Sequence, residues 1–378
     1  MTMKLYKVGL LGFGFIGKVH AYGHINLPIF FDQNNFRTQI THVCTSRQSS
    51  ADKAAEQLGA EFAVTDYRQI TENSDIDIVH ICTPNNFHKE ALLSAIKNNK
   101  HIYCDKPLVV DMNEAEEIKA ALKDYTATAQ MTLQNRFFPA TIRAKQMIEE
   151  GRIGDILEFR ACYLHSGSAD PQAPLKWKLS AESGGGVIAD LASHVMDLVN
   201  YLLGDFDSLI AQTKIAYPER PSAVEPGKML KVEAEDYVQM LVKMKSGATG
   251  NIEASKIATG IEDEMRFEIH GSKGALRFNG MDAHHLEFYD MTAQAAPIGG
   301  VRGWTRIDTG QRYESPAGFP GPKFSIGWIR GHMQCLFNFL SSVYAQEAGN
   351  PGLEQGIYIQ YLIEKVRESA RKRNWVEL

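Results

Sequence analysis

At 378 residues, 44% of them hydrophobic and 22% charged, the chain has a globular composition and exceeds one ordinary domain. A net charge of -5 lacks the basic surplus a nucleic-acid partner demands, and no apolar run reaches the roughly 18 residues needed to cross a membrane. The start, MTMKLYKVGLLGFG, has no h-region or cleavage site of a secretory signal. Five cysteines (Cys44, Cys82, Cys104, Cys162, Cys335) follow no CxxC or metal-knuckle spacing, and read as reduced thiols packed in a cytoplasmic protein.

In chain order, Lys7 to Leu11 is a short apolar strand running into glycines and then a helix from about Ile16. Ile40 to Thr45 is a second strand, and Ser50 to Leu58 a helix closed by Gly59. Ile76 to Cys82 is nearly all apolar, as expected of a parallel strand covered on both faces. His88 to Asn98 is helical, His101 to Cys104 a strand, and Met112 to Lys123 a helix. This alternation predicts right-handed βαβ units, so residues 1–125 are expected to form an α/β Rossmann domain with a doubly wound parallel sheet.

From about residue 155 the pattern changes. Glu158–His165, Ser208–Tyr217, Tyr237–Met244, Ala248–Ser255, Met265–Gly271 and Ala275–Asn279 read as strands. Lys245-Ser246-Gly247 and Ser272-Lys273-Gly274 suit hairpin turns between them. One helix, Val187 to Leu203, stops at Gly204. Residues 281–325, rich in Gly, Pro and Ala, are expected to be loop, and helices His332–Gln346 and Leu353–Arg371 close the chain. Residues 126–378 thus predict an α+β domain with a large open, mainly antiparallel β-sheet, suited to substrate binding and oligomerisation.

Gly12-Phe13-Gly14-Phe15-Ile16-Gly17 matches G-x-G-x-x-G between a strand and a helix, the context that gives this motif meaning. Gly12 permits the tight turn, Gly14 admits a pyrophosphate close to the backbone, and Gly17 lets helix and strand pack. The helix N-terminus then offers unpaired N–H groups to the phosphates of NAD or NADP. After the second strand stand Thr45, Ser46 and Arg47, with no carboxylate before Asp52. An acid there would bond the ribose of NAD, so Ser46 and Arg47 lean toward NADP or dual use.

Thr83-Pro84-Asn85 follows the third strand and Asp105-Lys106-Pro107 the fourth, at the carboxyl edge where ligands of such sheets bind. These residues, with His88 in the next helix, join the cofactor set. Lys106 in that position reaches a substrate held over the nicotinamide; read alone, it is also an ordinary surface lysine. Gly184-Gly185-Gly186 leads into the helix that carries Asp190 and His194, four apart and on one face. Ile188, Leu191, Val195, Leu198 and Leu202 lie largely on another face as core. By themselves Asp190 and His194 fit a packed histidine with an i, i+4 partner, or two ligands of a metal site lacking a third; no metal is expected.

Taken together, these motifs resemble the glucose–fructose oxidoreductase/inositol dehydrogenase/MocA family over the whole length. The resemblance rests on Gly12 to Gly17, Thr83 to Asn85, Asp105 to Pro107, Asn135-Arg136-Phe137, and G-G-G-x-x-x-D-x-x-x-H from Gly184 to His194. The family usually has Glu where this chain has Asp105. The resemblance implies a catalytic set of Lys106, Asp190 and His194. His194 would take a hydroxyl proton as hydride leaves, Lys106 would stabilise the developing alkoxide, and Asp190 would orient the substrate or His194.

A sugar or cyclitol is the expected substrate, in a pocket lined by Lys106, Arg136, Tyr163, His165, Asp170, Trp177, Lys178, Asp190 and His194. Two alternatives stay open. One is a redox-assisted glycosidase that passes through a 3-keto intermediate on tightly bound NAD, with Tyr163 or His165 as the extra base. The other is a non-catalytic NAD(P)-binding regulator. The resemblance also implies a homodimer or homotetramer.

Overall fold

The apolar run ahead of the glycines forms β1 (Lys4–Leu11), whose Val8, Leu10 and Leu11 are buried in the computed structural model, which describes residues 3–32 and 35–378. Next come α1 (Phe15–Phe30), β2 (Phe36–Cys44), α2 (Gln48–Leu58), β3 (Phe62–Val64), α3 (Arg68–Thr71) and β4 (Ile78–Ile81). They are followed by α4 (His88–Lys97), β5 (His101–Cys104), α5 (Met112–Ala121) and β6 (Ala129–Met131). Gly59 caps α2 at φ 65°, a left-handed conformation that glycine adopts without strain.

The six strands form one parallel sheet in the order β3-β2-β1-β4-β5-β6. The order reverses between β1 and β4, which marks the point where ligands of open α/β sheets bind. Ile78, Val79, Ile81 and Ile102 are fully buried, as strands covered on both faces require.

The second stretch contains α6 (Pro139–Glu149), β7 (Ile156–His165), α7 (Ser193–Leu203), β8 (Phe206–Lys214), β9 (Glu219–Pro221), β10 (Met229–Lys231) and β11 (Tyr237–Met244). It continues through β12 (Thr249–Ser255), β13 (Asp263–Gly271), β14 (Gly274–Asn279), β15 (His285–Asp290) and β16 (Trp304–Asp308). After these come α8 (Trp328–Ala345), α9 (Leu353–Lys372) and β17 (Val376–Glu377). A nine-stranded sheet runs β16-β15-β14-β13-β7-β12-β11-β8-β17. Every pairing in it is antiparallel except that of β12 with β7. On β11, Val238, Met240, Val242 and Met244 turn inward and Gln239, Leu241 and Lys243 outward, the alternation of a sheet with one solvated face.

The short β3, α3 and β6 and the elements α6, β9, β10 and β17 go beyond those expected, and three further features depart from expectation. The segment 281–325 is not all loop: Leu286 and Phe288 point into the core and make β15 a strand, with β16 beside it. The helix holding Asp190 begins with a π turn over Ile188–Ala192, where the Ser193 hydroxyl donates to the Ala189 carbonyl at 2.7 Å. The chain also divides into two compact units less simply than a single cut near 125. The first comprises residues 1–134, 313–321 and 329–360; the second, residues 135–312, 322–328 and 361–378. In the first, Leu353 and Ile357 of α9 complete the core built by α4, α5 and the sheet. Among the described residues no helix is long and apolar enough to cross a membrane.

Candidate active site

In the first unit the three glycines divide their work as the motif predicts. Gly12 has φ 91°, and a side chain there would meet the Cys82 carbonyl oxygen at 2.6 Å. A side chain on Gly17 would meet the Gly12 carbonyl at 2.3 Å. At Gly14, the residue before α1, nothing lies within 4 Å of where a Cβ would stand, so open space faces the helix N-terminus. That space and the N–H groups at the start of α1 fit a dinucleotide pyrophosphate. Phe13 flanks the loop beneath the Lys18 ammonium, Ile16 is half-buried, and Phe15 is 74% exposed.

Backbone hydrogen bonds tie the neighbouring loops to the same sheet edge. Gly12 N–H donates to Cys44, Cys82 N–H to Leu11 and Asp105 N–H to Ile81, all at 2.8–2.9 Å. Thr83 and Pro84 are half-buried and Asn85 is buried; Asp105 and Lys106 are half-buried beyond β5. Ser46 and Arg47 are exposed ahead of α2, and Thr45 folds that turn by bonding the Arg47 carbonyl and the Ser50 hydroxyl. Asp52 accepts from Gln48 within α2 instead of standing at the strand end.

His88 requires a correction. It is wholly buried, its Nε2 lies 2.8 Å from the Thr83 carbonyl, and its Nδ1 lies 3.1 Å from the carbonyls of Pro107 and Leu108. Its side chain has no exposed surface to offer a cofactor. It fastens the Thr83 and Lys106 loops to one another.

In the second unit, the ends of β7 and β12 and the π turn gather a polar cluster. The Asp190 carboxylate receives Lys178 Nζ at 3.1 Å and Lys256 Nζ at 3.0 Å. His194 is buried beside Tyr163, ring centroids 5.7 Å apart, and Tyr163 stands 5.1 Å from the His165 ring. His165 Nε2 lies 2.9 Å from Asp263 Oδ1, its cross-strand partner in the β13–β7 register. Burial, with Asp263 adding to it, holds the Tyr163 hydroxyl well above the usual phenol range.

The triple glycine serves this cluster by close packing. A side chain on Gly185 would strike the Lys178 carbonyl at 2.6 Å, and one on Gly186 the Glu235 carboxylate at 2.3 Å. Gly186 N–H donates to Lys178, while Glu235 receives Val187 N–H on its carbonyl and Ile188 N–H on its carboxylate. The loop before α7 is thereby pressed against the segment that supplies Lys178.

The other expected pocket residues separate. Arg136 is a correction: it is buried in a two-point ion pair with Asp197, with its guanidinium 4.9 Å from the Tyr201 ring, so it holds α7 in place. Trp177 is exposed beside Lys178, whose ammonium lies 5.8 Å from its ring. Asp170 is exposed in a turn where it caps Gln172 N–H at 2.8 Å, and buried Arg220 fixes that turn through the carbonyls of Ser168, Asp170 and Ala173. Sequence reading missed Lys256, Asp263, Asp197 and Glu235, because each is recruited by strand register or loop packing that no local motif announces. Among the described residues, no group of three or more His, Cys, Asp or Glu is placed to hold a metal ion.

A parallel sheet with an open glycine at its switch point, followed in the chain by a buried polar cluster on a second sheet, defines an NAD-binding oxidoreductase. Residues 6–133 match the family model described as "Oxidoreductase family, NAD-binding Rossmann fold", and residues 145–378 its "C-terminal alpha/beta domain". The chain belongs to the glucose–fructose oxidoreductase/inositol dehydrogenase/MocA family. It is 32% identical to levoglucosan dehydrogenase of Pseudarthrobacter phenanthrenivorans, across 100% of this chain and 99% of that relative. It is 31% identical to inositol 2-dehydrogenase of Rhizobium meliloti, across 71% of this chain and 74% of the other. Among solved structures, levoglucosan dehydrogenase in complex with NADH and levoglucosan superimposes with a TM-score of 0.93, covering 99% of both chains at 32% identity.

Proposed function

We propose that this enzyme oxidises a ring hydroxyl of a sugar, glycoside or cyclitol. The observation that carries the reading is the cluster in the second unit, where a carboxylate held by two ammonium groups lies on the same helix start as a buried histidine. Such a set binds hydroxyls by charge-assisted hydrogen bonds and offers an imidazole as proton acceptor. Relatives named for levoglucosan and inositol agree with a polyol.

In this reading His194 accepts the hydroxyl proton, Lys106 donates a hydrogen bond to the same oxygen, and Asp190 holds the substrate's other hydroxyls. The bound dinucleotide supplies the hydride acceptor. Gly14 and the N–H groups of α1 hold its pyrophosphate, and the exposed Ser46–Arg47 turn, lacking a carboxylate, admits NADP as well as NAD. The buried cysteines fit a cytoplasmic protein. The outward face of the nine-stranded sheet, where Leu241 is exposed, fits pairing with a second copy as a homodimer or homotetramer.

The test is nicotinamide reduction by purified protein on a panel of levoglucosan, inositols, aldoses and glycosides, with NAD and NADP separately. Turnover on a polyol supports the reading; a protein that binds the cofactor and oxidises none of the panel overturns it. His165 with Asp263 favours a second reading, since a histidine paired with a carboxylate beside Tyr163 is the further base a redox-assisted glycosidase needs. Cofactor retained through purification, with glycoside cleavage and no net reduction, would select that reading.

A further inference from the structure

The two lysines on Asp190 differ in everything but charge. Lys178 comes from the segment ahead of the triple glycine, with 51% of its side chain exposed. Lys256 comes from the sheet, with 8% exposed, and its ammonium also donates to the Lys178 carbonyl at 3.5 Å. Its backbone is fixed on both sides: the N–H donates to the Asp236 carbonyl at 2.9 Å, and the carbonyl receives Ser168 N–H at 2.7 Å. Lys256 directly follows β12, whose parallel register sets Ser255 beside Leu164 and so delivers the lysine to the sheet end where β7 presents His165.

An ammonium buried this far has lost most of its hydration, and Asp190 supplies it with a counter-ion. The dependence runs both ways. Protonating Asp190 would leave the Lys256 charge uncompensated in the protein interior, which opposes that protonation. Lys178, in contact with solvent, is screened and contributes less.

We propose that Lys256 is a positioning residue for the reaction: it pins the Asp190 carboxylate from the core side, ionised and in one orientation. Asp190 then accepts hydrogen bonds from substrate hydroxyls while the proton goes to His194. The inference rests on the role given to Asp190 above and adds the group behind it.

The experiment uses full-length protein carrying carbon-13 at the aspartate carboxyl, with the Asp190 resonance identified by its loss in Asp190→Asn. In Lys256→Met the titration midpoint of Asp190 should rise by about one to three pH units. Lys256→Arg should restore it, and Lys178→Met should move it less. With the best substrate of the polyol panel, kcat/KM should fall in Lys256→Met and recover in Lys256→Arg, and NADH affinity should not change. An Asp190 that titrates in Lys256→Met as in the parent, or a kcat/KM in that variant equal to the parent's, overturns the proposal. Lys256→Gln replaces Lys256→Met if the latter does not fold. Full activity in Asp190→Asn would sink the role of Asp190 itself; an inactive Asp190→Asn beside a parent-like Lys256→Met would sink this inference alone.

Discussion

Single residues carry the sharpest tests, because neighbouring glycines in one loop have opposite reasons to exist. Gly14 faces open space, whereas a side chain on Gly17 meets a backbone carbonyl at 2.3 Å. Gly14→Val should weaken NAD binding by about tenfold or more, by filling the pyrophosphate's place, while thermal stability stays near the parent's. Gly17→Val should lower both, since α1 must move away from β1. Calorimetric titration with NADH beside thermal unfolding separates the two, and equal stability losses would contradict the division of roles. In the proposed mechanism, Lys106→Ala and His194→Ala should each keep cofactor affinity and lose about 100- to 10,000-fold in kcat/KM. Near-parent turnover in either variant removes that residue from the mechanism.

Among elements, the start of α7 decides how the second unit's cluster is presented. A regular helix through Val187–Leu203 is what periodicity predicts, yet Ile188–Ala192 form a π turn. The cause is tertiary: Gly186 at φ 107° lies against Glu235, whose carboxylate takes the Ile188 N–H at 3.1 Å. Gly186→Ala should therefore disturb the turn, cutting turnover far more than NADH binding, which separate kcat and NADH titrations would show. One element further, Arg136 and Asp197 brace α7 from within. Asp197→Ala leaves a buried guanidinium without its carboxylate and should cost about 3–5 kcal/mol. Denaturant unfolding checks this, and the double variant Arg136→Leu/Asp197→Leu should lose less than the single.

Stability of the whole molecule should carry the mark of a buried histidine chain in the first unit. His24 Nδ1 lies 2.8 Å from Thr38 Oγ1, and its Nε2 lies 3.0 Å from His80 Nε2. His80 then meets His20 at 3.3 Å, and His20 meets Cys82 Sγ at 3.1 Å, with Tyr103 and His332 against the His20 ring. Burial holds His20 and His80 well below the ordinary 6.5 and lowers His24 to about 3. Between these values and 6.5 the unfolded chain binds more protons than the folded one, so stability is full above pH 6.5 and falls as pH falls through that window. Each of these histidines should add roughly 1.4 kcal/mol of loss per pH unit. Unfolding curves between about pH 7 and about pH 5 should show the slope, reduced in His24→Gln; a flat profile would contradict burial of the chain in its neutral form.

The sequence by itself determined most of the first unit, including β1, β2, β4, β5 and the helices α1, α2, α4 and α5, though not the short β3, α3 and β6. Its information is local there: an apolar run fixes a doubly covered strand, a glycine spacing fixes the cofactor turn, and short connections leave one way to wind the sheet. It also placed Lys106 beyond β5, and Asp190 and His194 on one helix, from motifs a few residues long. Tertiary structure alone decided the rest. His88 became a brace between two loops and Arg136 an internal ion pair because both side chains found buried partners far along the chain. Leu286 and Phe288 acquired strand geometry from a neighbouring edge, despite the Gly- and Pro-rich surroundings that suggested loop. Lys256 and Asp263 entered the cluster through the registers of β12 and β13 on β7, and Glu235 through loop packing on the glycines. Register depends on pairings between segments distant in sequence, so a motif can name a helix's own residues but not the side chains that other strands bring to them.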